Sequence, residues 1–292
     1  MAMPTAYPIY KRAMSGNGPD DTTVLQYALT LEHLENKFYA DALAQFSEED
    51  FAAAGYPNWV RGRFTQIAGH ENDHVTLLSG AIGENATQQC EYSFPYTDVK
   101  SFISLATLIE NAGVSAYAGA AQYISDGSYL TIAATILSTE ARHQAWQSSA
   151  VSNAQPWSSA YDTALGLDMV YTIASAFITS CPESNPALPV KSFGPLTVAN
   201  GMVGETATFT FDNSAQGDAV EYAIFYNGVG TAAVQLDANH MAMVPAALQG
   251  ISYVLISTAA TAADVTTDNI VAGPAFIVNN FDAWTENPAF MG

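Results

Sequence analysis

Glu71-Asn72-Asp73-His74 is a Glu-x-x-His step, and the chain repeats it as Glu140-Ala141-Arg142-His143. Each step follows a glutamate that has a tyrosine seven residues after it, Glu32 with Tyr39 and Glu110 with Tyr117. On a helix, residues three apart share a face, with Cβ atoms about 5–6 Å apart. Glu71 and His74 can then point at one ion or bridge to its neighbour, and Glu140 and His143 can do the same. Glu32 and Glu110 complete the set from two further helices. Four carboxylates and two imidazoles on four helices are expected to hold a pair of metal ions inside a bundle. Four ionised glutamates balance two divalent cations, so the site can be buried. Without metal, clustered carboxylates in an apolar bundle could not all stay ionised. Six protein ligands also leave coordination positions open on two metals, as a substrate such as O2 or peroxide requires.

The two halves match beyond these ligands. Ala28 recurs as Ala106, Leu31-Glu32 as Ile109-Glu110, and Phe38-Tyr39-Ala40 as Ala116-Tyr117-Ala118. Ordinary surface glutamates have no reason to repeat in this way. Glu35 aligns with Gly113 and has no mate, yet helical spacing puts it in the apolar stripe, where an unpaired carboxylate is costly. Glu35 is therefore read as a neighbour of the ligands or as an extra, asymmetric ligand. Tyr39 and Tyr117 read as core aromatics able to hydrogen-bond a ligand carboxylate. His70-Glu71-Asn72-Asp73-His74 also fits the H-E-x-x-H signature of zinc proteases. That reading leaves Glu140 and His143 unexplained, and Leu77 stands where the extended pattern has glycine. His70 is expected at the helix surface or behind the ligands. His33 and His240 have no partner pattern and read as structural or solvent-facing.

Apolar spacing predicts a first helix through Val24, Ala28, Leu31, Leu34, Phe38 and Ala42, and others over about 57–83, 98–125, 129–152 and 158–180. The last carries Tyr161, Leu165, Met169, Ile173 and Phe177. The Glu84 to Thr97 link is long enough for a crossover, whereas the next link is short and implies antiparallel neighbours. Cys181 to Pro189 holds three prolines and cannot continue a helix, so it reads as a linker. Beyond it, Thr206–Phe211, Val220–Phe225, Ala233–Leu236, Ile251–Ile256 and Ala275–Val278 read as short strands, with turns such as Asp212-Asn213 and Asn227-Gly228. The expected layout is α+β with two domains. Residues 1–184 form a four-helix bundle with a fifth helix, and residues 190–292 form an immunoglobulin-like β-sandwich.

Eight Lys and Arg stand against 28 Asp and Glu, for a net charge of −20. Such a surface repels nucleic acid and anionic membranes. The apolar runs are too short and interrupted for a membrane span. Met1-Ala2-Met3-Pro4 lacks the charged and apolar regions of a signal peptide. The two cysteines, Cys90 and Cys181, allow one disulfide, which would tie the crossover to the end of the fifth helix. That bridge, the sequon Asn85-Ala86-Thr87 and the acidic composition lean towards an extracellular, secreted protein.

The stretch from Leu25 to Tyr39, LQYALTLEHLENKFY, resembles the opening helix of the desiccation- and stress-related branch of the ferritin-like superfamily. Phe177-Ile178-Thr179-Ser180-Cys181-Pro182 resembles its closing segment. The likeness covers about residues 20–190 and implies a four-helix core, an added helix and an iron or manganese pair on Glu32, Glu71, His74, Glu110, Glu140 and His143. The function expected is a dimetal oxidoreductase acting on O2 or H2O2, catalase-like or an oxidase of a small organic substrate, with Glu71 and Glu140 as its catalytic residues. The alternative is a non-enzymatic stress protein with a structural metal site. Its β domain would then contact a cell wall or glycan through aromatics such as Tyr222, Phe225 and Tyr253. Iron storage is a third reading, hindered by the appended β domain.

Overall fold

Asp20 opens the first helix by accepting a hydrogen bond from the Thr23 amide at 2.8 Å, which satisfies one of the free donors of the first turn. The computed structural model describes residues 18–214, 219–281 and 283. Met1-Ala2-Met3-Pro4 and the outer ends of the two expected domains lie outside the described residues. The helices are α1 (Asp21–Gln45), α2 (Glu48–Ala53), α3 (Asn58–Ile82), α4 (Val99–Ala120), α5 (Gly127–Trp146) and α6 (Leu167–Ser175). The short α2, closed by a capping box between Ser47 and Asp50, did not show as a periodic pattern because it spans less than two turns. α1 packs against α3 and α4 against α5, and α1 meets α4 between the pairs. Among the described residues no helix is long and apolar enough to cross a membrane.

The expected fifth helix is corrected: it covers only Leu167–Ser175. Ahead of it the chain crosses the β-rich region as an irregular strap, and Tyr161 is exposed. Here the hydroxyls bond other elements. Ser158 Oγ accepts from the Ile251 amide at 2.8 Å and Thr163 Oγ1 accepts from the Gly228 amide at 2.7 Å. The helix expected over about 129–152 runs as α-helix to Trp146 and ends in a π-helical turn over Gln147–Val151.

The strands are β1 (Glu91–Tyr92), β2 (Ile178–Ser180), β3 (Thr197–Ala199), β4 (Thr206–Thr210), β5 (Tyr222–Asn227), β6 (Gly230–Gln235), β7 (Met241–Met243), β8 (Gly250–Ser257) and β9 (Ile270–Asn279). β1 lies in the crossover and pairs with β2 beyond α6, with Glu91 opposite Ser180. A Cys90–Cys181 disulfide joins the two chain segments beside that ribbon. The remaining strands form two antiparallel sheets, ordered β3-β4-β7 and β6-β5-β8-β9. The Asn227-Gly228 turn signal sits in the β5–β6 hairpin, where Gly228 adopts φ +57°. The molecule is thus a helical N-terminal part followed by antiparallel sheets.

β8 explains how the two parts join. All eight of its residues are buried, because both faces of the four-stranded sheet are covered. Tyr253 and Leu255 join the core of the helices, together with Ile224 and Tyr226 of β5. Val254 and Ile256 pack with Phe225 and Phe209 towards the three-stranded sheet. Phe225 and Tyr253 are therefore core residues, and Tyr222 packs against the core shared with the helices.

Candidate metal centre

Six side chains from α1, α3, α4 and α5 converge. The carboxylates of Glu71, Glu110 and Glu140 are fully buried, and Glu32 is 1% exposed. Donor atoms of Glu32, Glu71, His74 and Glu140 lie within 4.8 Å of one another, and so do those of Glu71, Glu110 and His143. Glu71 belongs to both groups. Its Oε2 lies 3.0 Å from His74 Nδ1, and its Oε1 lies 3.3 Å from His143 Nδ1. His74 Nδ1 is also 3.2 Å from Glu32 Oε2, and His143 Nδ1 is 3.3 Å from Glu110 Oε2.

The sequence repeat appears here as a reciprocal exchange. The Tyr117 hydroxyl on α4 donates to Glu32 Oε1 on α1, and the Tyr39 hydroxyl on α1 donates to Glu110 Oε1 on α4. Each tyrosine fixes one oxygen of a glutamate on the other helix and leaves its second oxygen facing a histidine. Gln147 Nε2 in turn donates to the Tyr39 hydroxyl at 2.8 Å. The sequence reading missed Gln147. Its signal was its position one helical turn after His143, on the same face.

Glu35 is buried but falls outside both donor groups. Its repeat mate Gly113 explains how it fits. A Cβ at Gly113 would stand 2.8 Å from Glu35 Oε1 and 2.6 Å from Glu140 Oε2. The glycine leaves the space that the extra carboxylate occupies. His70 is exposed, with Nδ1 2.9 Å from His143 Nε2. His33 Nε2 lies 3.0 Å from Thr87 O, and His240 stacks on Phe211, both away from the cluster.

The donor set suits a cation. Both oxygens of Glu140 and one oxygen of Glu35 are buried without a hydrogen-bond partner. Five buried carboxylates facing two imidazoles need either protons or cations to offset their charge. Carboxylate and imidazole donors together suit a divalent transition-metal ion.

In the metal-free protein, protons take that role. Burial pushes the Glu32 carboxyl up to about 7 despite its bond from His74. Burial, then neighbouring carboxylates, drive Glu35 and Glu140 well above the usual range, and burial raises Glu110. Burial opposes ionisation of Glu71 too, but the hydrogen bonds of His143 and His74 outweigh it and bring Glu71 to about 2. Burial likewise works against the two imidazolium forms. Bonds and charges of the carboxylates nonetheless hold His74 at about 10 and His143 at about 9.

Metal must displace these protons, so uptake is expected to release them and to tighten as pH rises. Groups with raised pKa stabilise the metal-free fold at low pH. They lose that contribution as pH climbs through about 7 for Glu32, then about 9 and 10 for the histidines. The rise in melting temperature on adding Mn(II) or Fe(II) should therefore be larger at pH 8 than at pH 6. An equal rise at both would count against proton displacement.

Two likenesses to known proteins accompany this geometry. Residues 20–153 match the family model of the ferritin-like domain. Protein rds1 of Schizosaccharomyces pombe is 25% identical over 176 residues, an alignment that takes in 60% of this chain and 44% of that protein. The chain thus spans less than half the length of this relative. Residues 20–153 are therefore similar to the ferritin-like domain, and the helical arrangement and donor set are compatible with that likeness.

Proposed function

We propose that the protein is a dinuclear iron or manganese oxidoreductase acting on O2 or H2O2, of the desiccation- and stress-related branch. The observation that carries this reading is Glu71, whose two oxygens face the two histidines of adjoining donor groups. Glu32, Glu71, His74 and Glu140 would hold one ion, and Glu71, Glu110 and His143 the other. When bound, such a pair supplies two redox-active centres that exchange electrons with an O–O bond. Tyr117, Tyr39 and Gln147 orient Glu32 and Glu110. Glu140 has both oxygens free of hydrogen bonds and can accept or return a proton, which makes it, with Glu71, the catalytic candidate.

The surroundings favour a small oxidant. A cavity of about 20 Å³ beside Glu35 and Gly113 is walled by Leu31, Ile109, Val170 and Phe177. It has room for about one water-sized guest, which suits O2 or peroxide better than an organic substrate. A disulfide fits an oxidising compartment, so we place the protein outside the cell. We read β3 to β9 as an immunoglobulin-like sandwich, with strands in two facing sheets. A wall or glycan contact through it would need residues other than Phe225 and Tyr253, which are fully buried.

Elemental analysis of natively purified protein, followed by peroxide and oxygen assays, tests the proposal. Two iron or manganese ions per chain and turnover that Glu140→Ala abolishes are expected. Bound metal without turnover would favour a stress protein with a structural metal site. Absence of both metals would end the dinuclear reading.

A further inference from the structure

We infer that His70 is a positioning residue for His143 and makes the two ion positions unequal, an inference that rests on the two-ion reading above. His143 turns Nδ1 inward, 3.3 Å from both Glu71 Oε1 and Glu110 Oε2. Its other ring nitrogen, Nε2, points away from them and meets His70 Nδ1 at 2.9 Å. The two rings lie nearly parallel, 13° apart, with centroids separated by 5.1 Å. An imidazole that gives Nδ1 to a metal carries its proton on Nε2, and a bond from that proton fixes both tautomer and ring orientation. His70 Nδ1 is the acceptor at that place. Its own proton then sits on Nε2.

This arrangement accounts for the residue that completes the H-E-x-x-H string. His70 is no ligand, because His143 stands between it and the carboxylates. The other half of the repeat lacks the device. The position equivalent to His70 is Thr139, whose hydroxyl donates to Thr135 O at 3.0 Å along its own helix. His74 therefore gains no such partner from the repeat. The carboxylates are fully or almost fully buried, whereas His74 and His143 keep side-chain exposures of 12% and 8%. The histidine side is the cluster's solvent edge, and His70 covers the His143 half of that edge. A buried donor whose ring is held in register loses less freedom on binding an ion, so the Glu71–Glu110–His143 position should bind more tightly than it would without His70.

Calorimetric titration of the full-length, metal-free protein with Co(II) alone tests this, with visible spectra recorded at each step. The wild type should take up two ions, and His143→Ala identifies which step belongs to the His143 position. His70→Ala should weaken that same step by about 10- to 100-fold, the usual effect of losing an outer partner of a ligand. It should leave the other step and the metal-free melting curve unchanged. His70→Gln, which restores an acceptor oxygen, should recover most of the loss, and Thr139→Ala should change neither step. Wild-type stepwise affinities in His70→Ala would overturn the inference while leaving the dinuclear reading intact. Equal losses in His70→Ala and His70→Gln would also overturn it, because ring bulk rather than the hydrogen bond would then be responsible. Failure of the wild type to bind a pair of cobalt ions would overturn both.

Discussion

Replacing Glu71 by alanine is expected to empty both ion positions at once, the largest functional effect of any single ligand change. Every other ligand belongs to one donor group, whereas Glu71 belongs to both. Glu32→Ala and Glu110→Ala should each weaken one position more than the other. The loss extends to the metal-free fold. Glu71 is the ionised carboxylate between two imidazolium rings, held at about 2 by their hydrogen bonds after burial is overcome. Removing it leaves two buried cations with one partner each, and breaking buried pairs in this way costs roughly 3–5 kcal/mol. The stabilisation conferred by metal, about 2.7 kcal/mol per site at 100-fold excess over Kd, should vanish as well. Metal content by elemental analysis and melting curves with and without Mn(II) check this. A Glu71→Ala protein that retains one ion with near wild-type affinity would contradict a shared ligand.

The convergence of the four glutamates and two histidines was legible because a helix converts residue spacing into facing, and because the two halves repeat. The repeat also located the asymmetry, pairing Glu35 with Gly113. It could not show why the pairing works, since a missing Cβ against a carboxylate from another helix is a property of packing. The exchange between tyrosines and glutamates was half visible: the types were right, but the crossing from α1 to α4 depends on how the two helices pair. His70 was expected at the surface or behind the ligands, but its partner His143 lies on another helix, and Gln147 went unassigned because its contacts to Tyr39 and Glu110 also cross between helices.

The errors in the fold have a common cause. Ser158 to Gly166 carries apolar residues at helical spacing, yet its polar groups are bonded to the sheets and to α4, and long-range bonds override local pattern. β3 and β7 are three residues each, too short for alternation to register. The proline-rich stretch after Cys181 reads as a linker from composition. It is held by the disulfide and by Asn185, whose side chain bonds both the amide and the carbonyl of Gln88. Beyond it, the Tyr253 hydroxyl meets Asn111 and Ser115 on α4, next to Glu110. The sheets therefore brace the helix that carries Glu110.

A second large effect is expected on the same helix, from Gly119→Ala, where the strap before α6 crosses α4. Gly119 is buried near the end of α4, and a Cβ there would stand 1.8 Å from the carbonyl oxygen of Leu165. A flexible side chain could turn aside, but this neighbour is backbone. The same residue is pinned by its amide, which donates to Ser115 O at 3.1 Å, and by its side chain, 1% exposed in the core. Relief requires the strap before α6 to lift, which loosens Thr163 from Gly228 and Ser158 from Ile251. Overpacking costs typically 1–3 kcal/mol and occasionally more, and the loss of anchoring bonds adds to it. With about 2–4 °C per kcal/mol for a chain of this size class, melting should fall by roughly 10 °C. Gly69→Ala supplies the contrast. It sits on the exposed face of α3 with nothing within 4 Å of the added atom, so helix propensity alone should stabilise the protein by up to about 1 kcal/mol. Thermal denaturation of both variants without metal separates the effects. A Gly119→Ala protein that melts with the wild type would mean that the strap does not lie against α4 as described.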